Sequence, residues 1–313
     1  MERILEGSAL PSLPNGSVVT VGTFDGVHRG HQALLAELRR RADEIEAPAV
    51  VVTFDRHPAS VVRPESAPRL LSTLAKRLEL FTAAGVDYVH MLRFDEARSL
   101  ETPEDFMNDV VVGMWHARVA VEGENFHFGH RRRGDMPALE AMGARLGFKV
   151  HTVALVVDEL LDTPISSEAI RAALARGDID TTTRLLGREF EIQGVVEHGD
   201  KRGRELGFPT ANVAVPGDIQ LPADGVYAGW YERPDGSVHR TAISIGRRPT
   251  FYAENGLLLV EPHLLDFDDD LYFEHARVRI EAWLRGQVKF DSIDALIAQL
   301  EQDVEATRRL ADS

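Results

Sequence analysis

The chain has 313 residues, 44% of them hydrophobic, with no cysteine and a formal net charge of −15. That length and apolar content suffice for two hydrophobic cores, and the lack of cysteine excludes disulfides and thiolate metal sites and fits a cytoplasmic protein. The acidic balance speaks against nucleic-acid coating, which needs excess Lys and Arg to displace counterions, and no run approaches the ~18 apolar residues of a membrane span, so neither nucleic acid nor membrane is expected as a partner.

Residues 18–38, VVTVGTFDGVHRGHQALLAEL, read as a β-branched strand, a turn through Gly22 and Gly26, and an amphipathic helix with Leu34, Leu35, Leu38 and Ile45 at helical spacing. A strand, glycine turn and helix start make an anion site, because helix N-termini present unpaired N–H groups and the positive end of the dipole. His28 and His31 are three apart and project toward one anion if the first turn is helical. Such a pair near a turn is more often polar surface; here the strand before it and the helix after it favour a phosphate site.

The pattern GTFDGVHRGH resembles the HxGH signature of the nucleotidyltransferase superfamily, and its longer form GxFDGxHxGH is similar to the N-terminal domain of the prokaryotic bifunctional riboflavin kinase/FAD synthetase family. The resemblance implies that Gly22, Phe24 and Gly26 contact ATP, with His28 and His31 as the catalytic pair.

Next, AVVVTF reads as a buried parallel strand. Helix KRLELFTAAG with a strand over 86–94, helix PEDFMNDVVVGMW with strand ARVAVEG, and helix MPALEAMGARLG with a strand over 149–157 continue the alternation, which predicts a doubly wound parallel α/β sheet. Ligands of such sheets sit beyond the carboxyl ends of strands. The loop there, EGENFHFGHRRRGD, offers Asn125, Phe126, Phe128 and Arg131 to Arg133. It is similar to the family's GxNFxFGxxRxGD segment, which implies flavin binding by Asn125, Phe126 and Phe128.

PISSEAIRAALARGD reads as a short helix with Ile170 and Leu174 inward and Ser166 or Ser167 as its cap. It resembles the family's ISSTxIR, implying that Ser166, Ser167 and Arg171 bind the triphosphate; Glu168 stands where the family has Thr.

After TTTRLLGREF the alternation gives way to short strand candidates, so the boundary is placed near Leu186: an adenylyltransferase domain over 1–186 and a kinase domain over 187–313. Six strand candidates without intervening helices predict a small antiparallel β-barrel, closed by a terminal helix with Ile293, Leu296, Ile297, Leu300 and Val304 along one face.

HGDKRGRELGFPTANV carries glycines 199, 203 and 207, which permit a phosphate nest, and Thr210 and Asn212, oxygen ligands for a hard cation; an ordinary Gly-rich hairpin is the plainer alternative. GRxLGFPTAN is characteristic of riboflavin kinases and implies ATP contacts from Gly203, Gly207, Thr210 and Asn212, with Mg²⁺ held near Thr210 and Asn212. LLLVEPHLLDFDDDLY resembles the family's VExHxLDF, which makes Glu261 the implied general base. Asp268, Asp269 and Asp270 read as a turn. Three departures stand nearby: Ser244 for an Asn, Phe273 for a Gly, and Pro262, which removes a strand donor.

The resemblance spans residues 18–310 and implies that the C-terminal domain makes FMN from riboflavin and ATP, and the N-terminal domain makes FAD from FMN and ATP. Retention of a single activity, or of flavin binding without turnover, are the alternatives.

Overall fold

A computed structural model describes residues 1–199, 202–250 and 253–311. Its contacts fall into two compact units, Met1–Ser167 and Glu168–Ser313.

The first unit is a six-stranded parallel sheet in the order β1-β4-β3-β2-β5-β6, with β1 Glu2–Leu5, β2 Ser17–Val21, β3 Ala49–Phe54, β4 Tyr88–Leu92, β5 Ala117–Gly123 and β6 Lys149–Val153. Helices α1 (Arg29–Glu44), α2 (Leu74–Ala83) and α3 (Met136–Leu146) connect strands. All five residues of β2 are buried, as are the first five of β3, because both faces are covered. Side chains alternate: Val19, Val21, Val50 and Val52 join one core with Trp115 and Leu139, and Val18, Ala49, Val51, Leu35 and Leu38 join the other with Phe81. Full burial of each such Leu is worth about 1.5–3 kcal/mol.

Strand order reverses between β2 and β5. The crevice beyond the carboxyl ends of these two neighbours is the switch point at which ligands bind in open α/β sheets. The GTFDG turn and the ENFHFG loop leave from those two strand ends.

Several expectations needed correction. Strand β1 was not expected, having a single buried residue, Ile4, and it joins as the edge strand by pairing with β4. The strand expected over 86–94 is confined to β4. The one expected over 149–157 ends at Val153, and Val157–Asp158 instead pairs with Thr163–Pro164 as a small hairpin, β7 and β8. Ile45 is the C-cap of α1 rather than part of its buried face.

The second unit opens with α4 (Ser167–Ala175) and α5 (Ile179–Leu186). In α4, Ile170 and Leu174 are buried as expected. The closed antiparallel barrel follows, ordered β10-β13-β12-β11-β14-β9, with β9 Phe190–Glu197, β10 Asn212–Ala214, β11 Gly225–Glu232, β12 Val238–Thr250, β13 Ala253–Leu264 and β14 His275–Gly286. Phe190, Ile192, Tyr227, Tyr231, Ile243, Val278 and Ile280 fill its core. The terminal helix α6 (Ile293–Ala311) packs on β11 and β12. Its attachment is more polar than expected: Asp303 takes a two-point contact from Arg285 at 2.8 and 2.6 Å, and the Thr307 carbonyl accepts from Arg240 Nε at 3.0 Å. Ile293 is exposed, because it lies at the helix start beyond the packed turns.

Candidate active sites

The turn after β2 is tightly held. Gly22 N–H donates to the Val52 carbonyl (3.0 Å), and Gly26 N–H to Ser72 Oγ (3.1 Å). Buried Asp25 takes the Leu71 N–H on Oδ1 (2.8 Å), and its carbonyl accepts from Ser167 Oγ (2.9 Å). The buried Arg77 guanidinium donates to the Thr23 carbonyl (2.7 Å). These contacts hold Phe24, Gly26 and Val27 at positive φ (49°, 78° and 39°), strain that persists in a β-branched residue only where its surroundings over-determine it.

His28 is the N-cap of α1, with extended backbone, and its Nδ1 accepts from His31 N–H (3.3 Å). The two imidazoles nonetheless share a face: their rings stack at 3.6 Å and 18°. Burial, with His28 adding to it, pushes the His31 pKa well down, so the ring is neutral at pH 7. Among the described residues His31 Nδ1 is buried with no hydrogen-bond partner, and an orphaned buried donor or acceptor costs about 1–3 kcal/mol until something pairs with it. Ser166 and Ser167 stand at the start of α4, Glu168 is exposed, and Arg171 lies one turn further along α4. An exposed acid in a helix's first turn is favoured by the dipole, a local reason for Glu168 at the Thr position.

A further residue of this site escaped the sequence reading. The β2–β5 ladder ends at Val19–Ala120, and the next donor, Val21 N–H, is taken by the side-chain Oε1 of Glu122 at 2.7 Å. Glu122 is fully buried, and desolvation drives its pKa well up. A buried carboxyl whose pKa is raised by desolvation thus takes the place of a backbone carbonyl at the switch point. The only sign in the sequence was an acid inside the apolar run ARVAVEG; Asp25, Ser72 and Arg77 gave none.

In the loop after β5, Phe126 and Phe128 stack at 5.2 Å and 12°. Phe128 and Gly134 exchange two backbone hydrogen bonds at 3.0 Å, closing the loop at its base. A Cβ on Gly134 would lie 2.6 Å from the Phe128 ring, so glycine is required there. Phe128 is buried, Phe126 half-buried and Asn125 exposed, giving a stacked aromatic ledge with an amide beside it.

In the barrel, register assembles the candidate kinase residues. Val213 pairs with Val260, and Ala211 N–H donates to the Pro262 carbonyl at 2.9 Å, which sets Asn212 opposite Glu261. Glu261 pairs on its other side with Ser244. Asn212, Glu261 and Ser244 therefore form one cross-strand row on one face. All three are half-buried, while Thr210 is exposed. Ser244 Oγ accepts from Gln287 Nε2 at 3.3 Å. Pro262 keeps its place because its carbonyl still holds the PTAN segment.

Of the three glycines, Gly199 and Gly203 serve close approach: a Cβ would lie 1.9 Å from Asn212 Nδ2 and 2.4 Å from the Phe208 carbonyl oxygen, respectively. Gly207 has φ +84°. Asp200 and Lys201 of the same segment lie outside the described residues. Phe273, at the glycine position, adopts φ +65°, is 73% exposed and packs against His198. Asp269 and Asp270 take backbone N–H groups locally, as a turn does. Among the described residues no three His, Cys, Asp or Glu gather to hold a metal. Thr210 and Asn212 present neutral oxygens, a donor set that suits Mg²⁺ carried largely by phosphates and water.

Comparison with known proteins finds two family matches along the chain. The FAD synthetase family model matches residues 10–169 and the riboflavin kinase model residues 186–311. Among similar proteins, a bifunctional riboflavin kinase/FMN adenylyltransferase of Pseudomonas fluorescens is 42% identical over 95% of this chain and 93% of its own length. Those of Haemophilus influenzae (36%; 99% and 96%) and Escherichia coli K12 (37%; 92% and 90%) carry the same description. A crystal structure described as a macrolide-efflux protein from Streptococcus pneumoniae superposes with a TM-score of 0.87 at 31% identity, covering 98% of both chains. Among the described residues of this chain no helix is long and apolar enough to cross a membrane.

Proposed function

The chain belongs to the bifunctional riboflavin kinase/FMN adenylyltransferase family, and from that premise we propose which of its residues carry each reaction. It phosphorylates riboflavin to FMN and adenylylates FMN to FAD, with ATP as co-substrate of both. We place the functional boundary near Leu186, the residue at which the riboflavin kinase match begins, and the protein in the cytoplasm.

In the adenylyl site the FMN phosphate attacks the α-phosphorus of ATP, and pyrophosphate leaves. The nucleophile is already an anion, so no strong base is needed. Gly22, Phe24 and Gly26 shape the turn that admits the polyphosphate, and the start of α1 supplies N–H groups to it. His28 and His31 stabilise the charge developing on the phosphates. The orphaned Nδ1 of His31 carries this reading, since a phosphate oxygen would supply its missing partner. Ser166, Ser167 and Arg171 are the further triphosphate ligands. Asn125 with the Phe126–Phe128 stack holds the isoalloxazine ring.

In the kinase site Glu261 takes the proton of the ribityl hydroxyl as it attacks the γ-phosphorus. Asn212, its cross-strand neighbour, and Thr210 would hold Mg²⁺, which supplies charge neutralisation on the phosphates; Gly203 and Gly207 let the backbone approach ATP. A crossed assay tests the assignment, with flavins separated chromatographically after reaction with ATP and Mg²⁺. Glu261→Gln is expected to lose FMN formation and keep FAD formation from supplied FMN, and His28→Ala the reverse; equal loss of both reactions in either variant overturns the two-site assignment.

A further inference from the structure

Two runs of three arginines occur in the N-terminal unit, and they are used oppositely. Arg39, Arg40 and Arg41, on α1, are neutralised: Arg39 by Asp43 (2.7 Å) and Asp87 (2.6 Å), Arg40 by Glu37 and Glu44, and Arg41 by Glu37 (2.7 Å) and Glu44 (3.1 Å). Arg131, Arg132 and Arg133 are all exposed, and none of their side chains has a hydrogen bond, ion pair or ring contact among the described residues. Carboxylates outnumber basic groups by 50 to 35 in this chain, so three adjacent guanidinium groups without an acidic partner stand out against the composition.

The run is also held in place. Its base is the two-way Phe128–Gly134 bridge. His130, just before it, is fixed at both ends, its N–H donating to the Glu101 carbonyl (2.8 Å) and its Nδ1 bonded to the Ser99 carbonyl (2.8 Å). Arg131 and Arg132 follow at φ +55° and +57°, a backbone region disfavoured for L residues. The charges therefore sit on a fixed loop whose stem is the aromatic ledge, at the carboxyl end of β5.

Arg132 falls on the arginine of the family's segment, whereas Arg131 and Arg133 stand at positions which that segment leaves open. We infer that Arg131 and Arg133 form a clamp for the terminal phosphate of FMN and set the adenylyl site's preference for FMN over unphosphorylated flavins. This rests on the flavin reading of the Phe126–Phe128 ledge. A phosphate monoester carries a charge of about −1.5 to −2 at pH 7, and a protein of net charge −15 repels it unless a local positive group intervenes. Guanidinium forks match phosphate oxygens two at a time. The triphosphate of ATP has its own cradle at the start of α1, which leaves this loop to the flavin partner.

The test uses the full-length protein with Mg²⁺ and ATP, reading initial rates of FAD formation from FMN. In an Arg131→Gln/Arg133→Gln double variant, KM for FMN should rise about 10-fold, the scale of two charge-assisted bonds weakened by solvent, with kcat and KM for ATP little changed. The inhibition constant of 5′-deoxyriboflavin, which has no phosphate and cannot acquire one, should stay at the wild-type value, and Arg131→Lys/Arg133→Lys should recover most of the loss. A rise in KM for ATP instead, an equal weakening of 5′-deoxyriboflavin, or an unchanged KM for FMN overturns the clamp. If 5′-deoxyriboflavin fails to compete with FMN in the wild type, the ledge reading itself falls, and the clamp with it.

Discussion

The two candidate sites solve different chemical problems with different surroundings. The candidate adenylyl site has buried titratable groups at its base: His31 is buried with its pKa pushed down, and Glu122 is buried with its pKa pushed up. The barrel site is a half-buried row, Asn212–Glu261–Ser244, with exposed Thr210 beside it. The first receives a nucleophile that is already charged, so preorganised N–H donors suffice. The second must deprotonate a hydroxyl, and it carries a carboxylate reachable from solvent. Two glutamates at strand positions thus differ in setting, Glu122 buried with a raised pKa and Glu261 half-buried, and under the proposed assignment only the second acts as a base.

The sharpest way to break this contrast is Glu261→Gln, which should slow FMN formation by about 10²- to 10⁴-fold, the usual contribution of a general base, with FAD formation from FMN as the internal control. His28→Ala should slow FAD formation by about 10²- to 10³-fold through loss of charge stabilisation. Removal of the α1 cap costs about 1 kcal/mol besides, so a thermal melt run alongside separates the two effects.

Glu122→Gln probes the buried carboxyl. Its folded pKa lies above the ordinary 4.5, so the folded state binds more protons than the unfolded state between those values, and stability falls as pH rises through that window. The amide keeps an acceptor for Val21 N–H without a titrating group. The variant should therefore melt higher than wild type at pH 8, match it near pH 4, and retain FAD formation. A wild-type advantage at pH 8 would mean that Glu122 is ionised in the fold. The smallest effect is expected from Phe273→Gly: relief of the left-handed backbone, about 1–2 kcal/mol, is offset by about 0.5–1 kcal/mol of glycine entropy. The net gain of up to about 1.5 kcal/mol is readable as a shift in denaturant midpoint, and a fall in kinase rate in the same variant would show that the exposed ring touches a substrate.

Much of the fold was legible because it rests on local periodicity. Alternating helix and strand gave the parallel sheet, and closely spaced strands with turn residues gave the barrel. His28 and His31 were readable as a pair because their separation is three residues. Strand β1 was not, since a four-residue edge strand with one buried side chain carries no period. The buried face of α6 was misjudged at Ile293, because the helix is held to the barrel through Asp303 and Thr307 rather than by apolar residues alone.

By itself the sequence determined the order of two domains, the type of each sheet, and the motif residues of the candidate phosphate site and the candidate kinase row, all encoded over short spans. Tertiary structure alone decided that Glu122 completes β2 in place of a backbone carbonyl, 101 residues from its partner Val21. It also decided that Arg77 buttresses the GTFDG turn from 54 residues away, and that Asn212, Glu261 and Ser244 share a row through strand register. Those contacts join groups distant in the chain, and whether a carboxyl is neutral or an arginine is paired depends on which distant groups and how much water surround it.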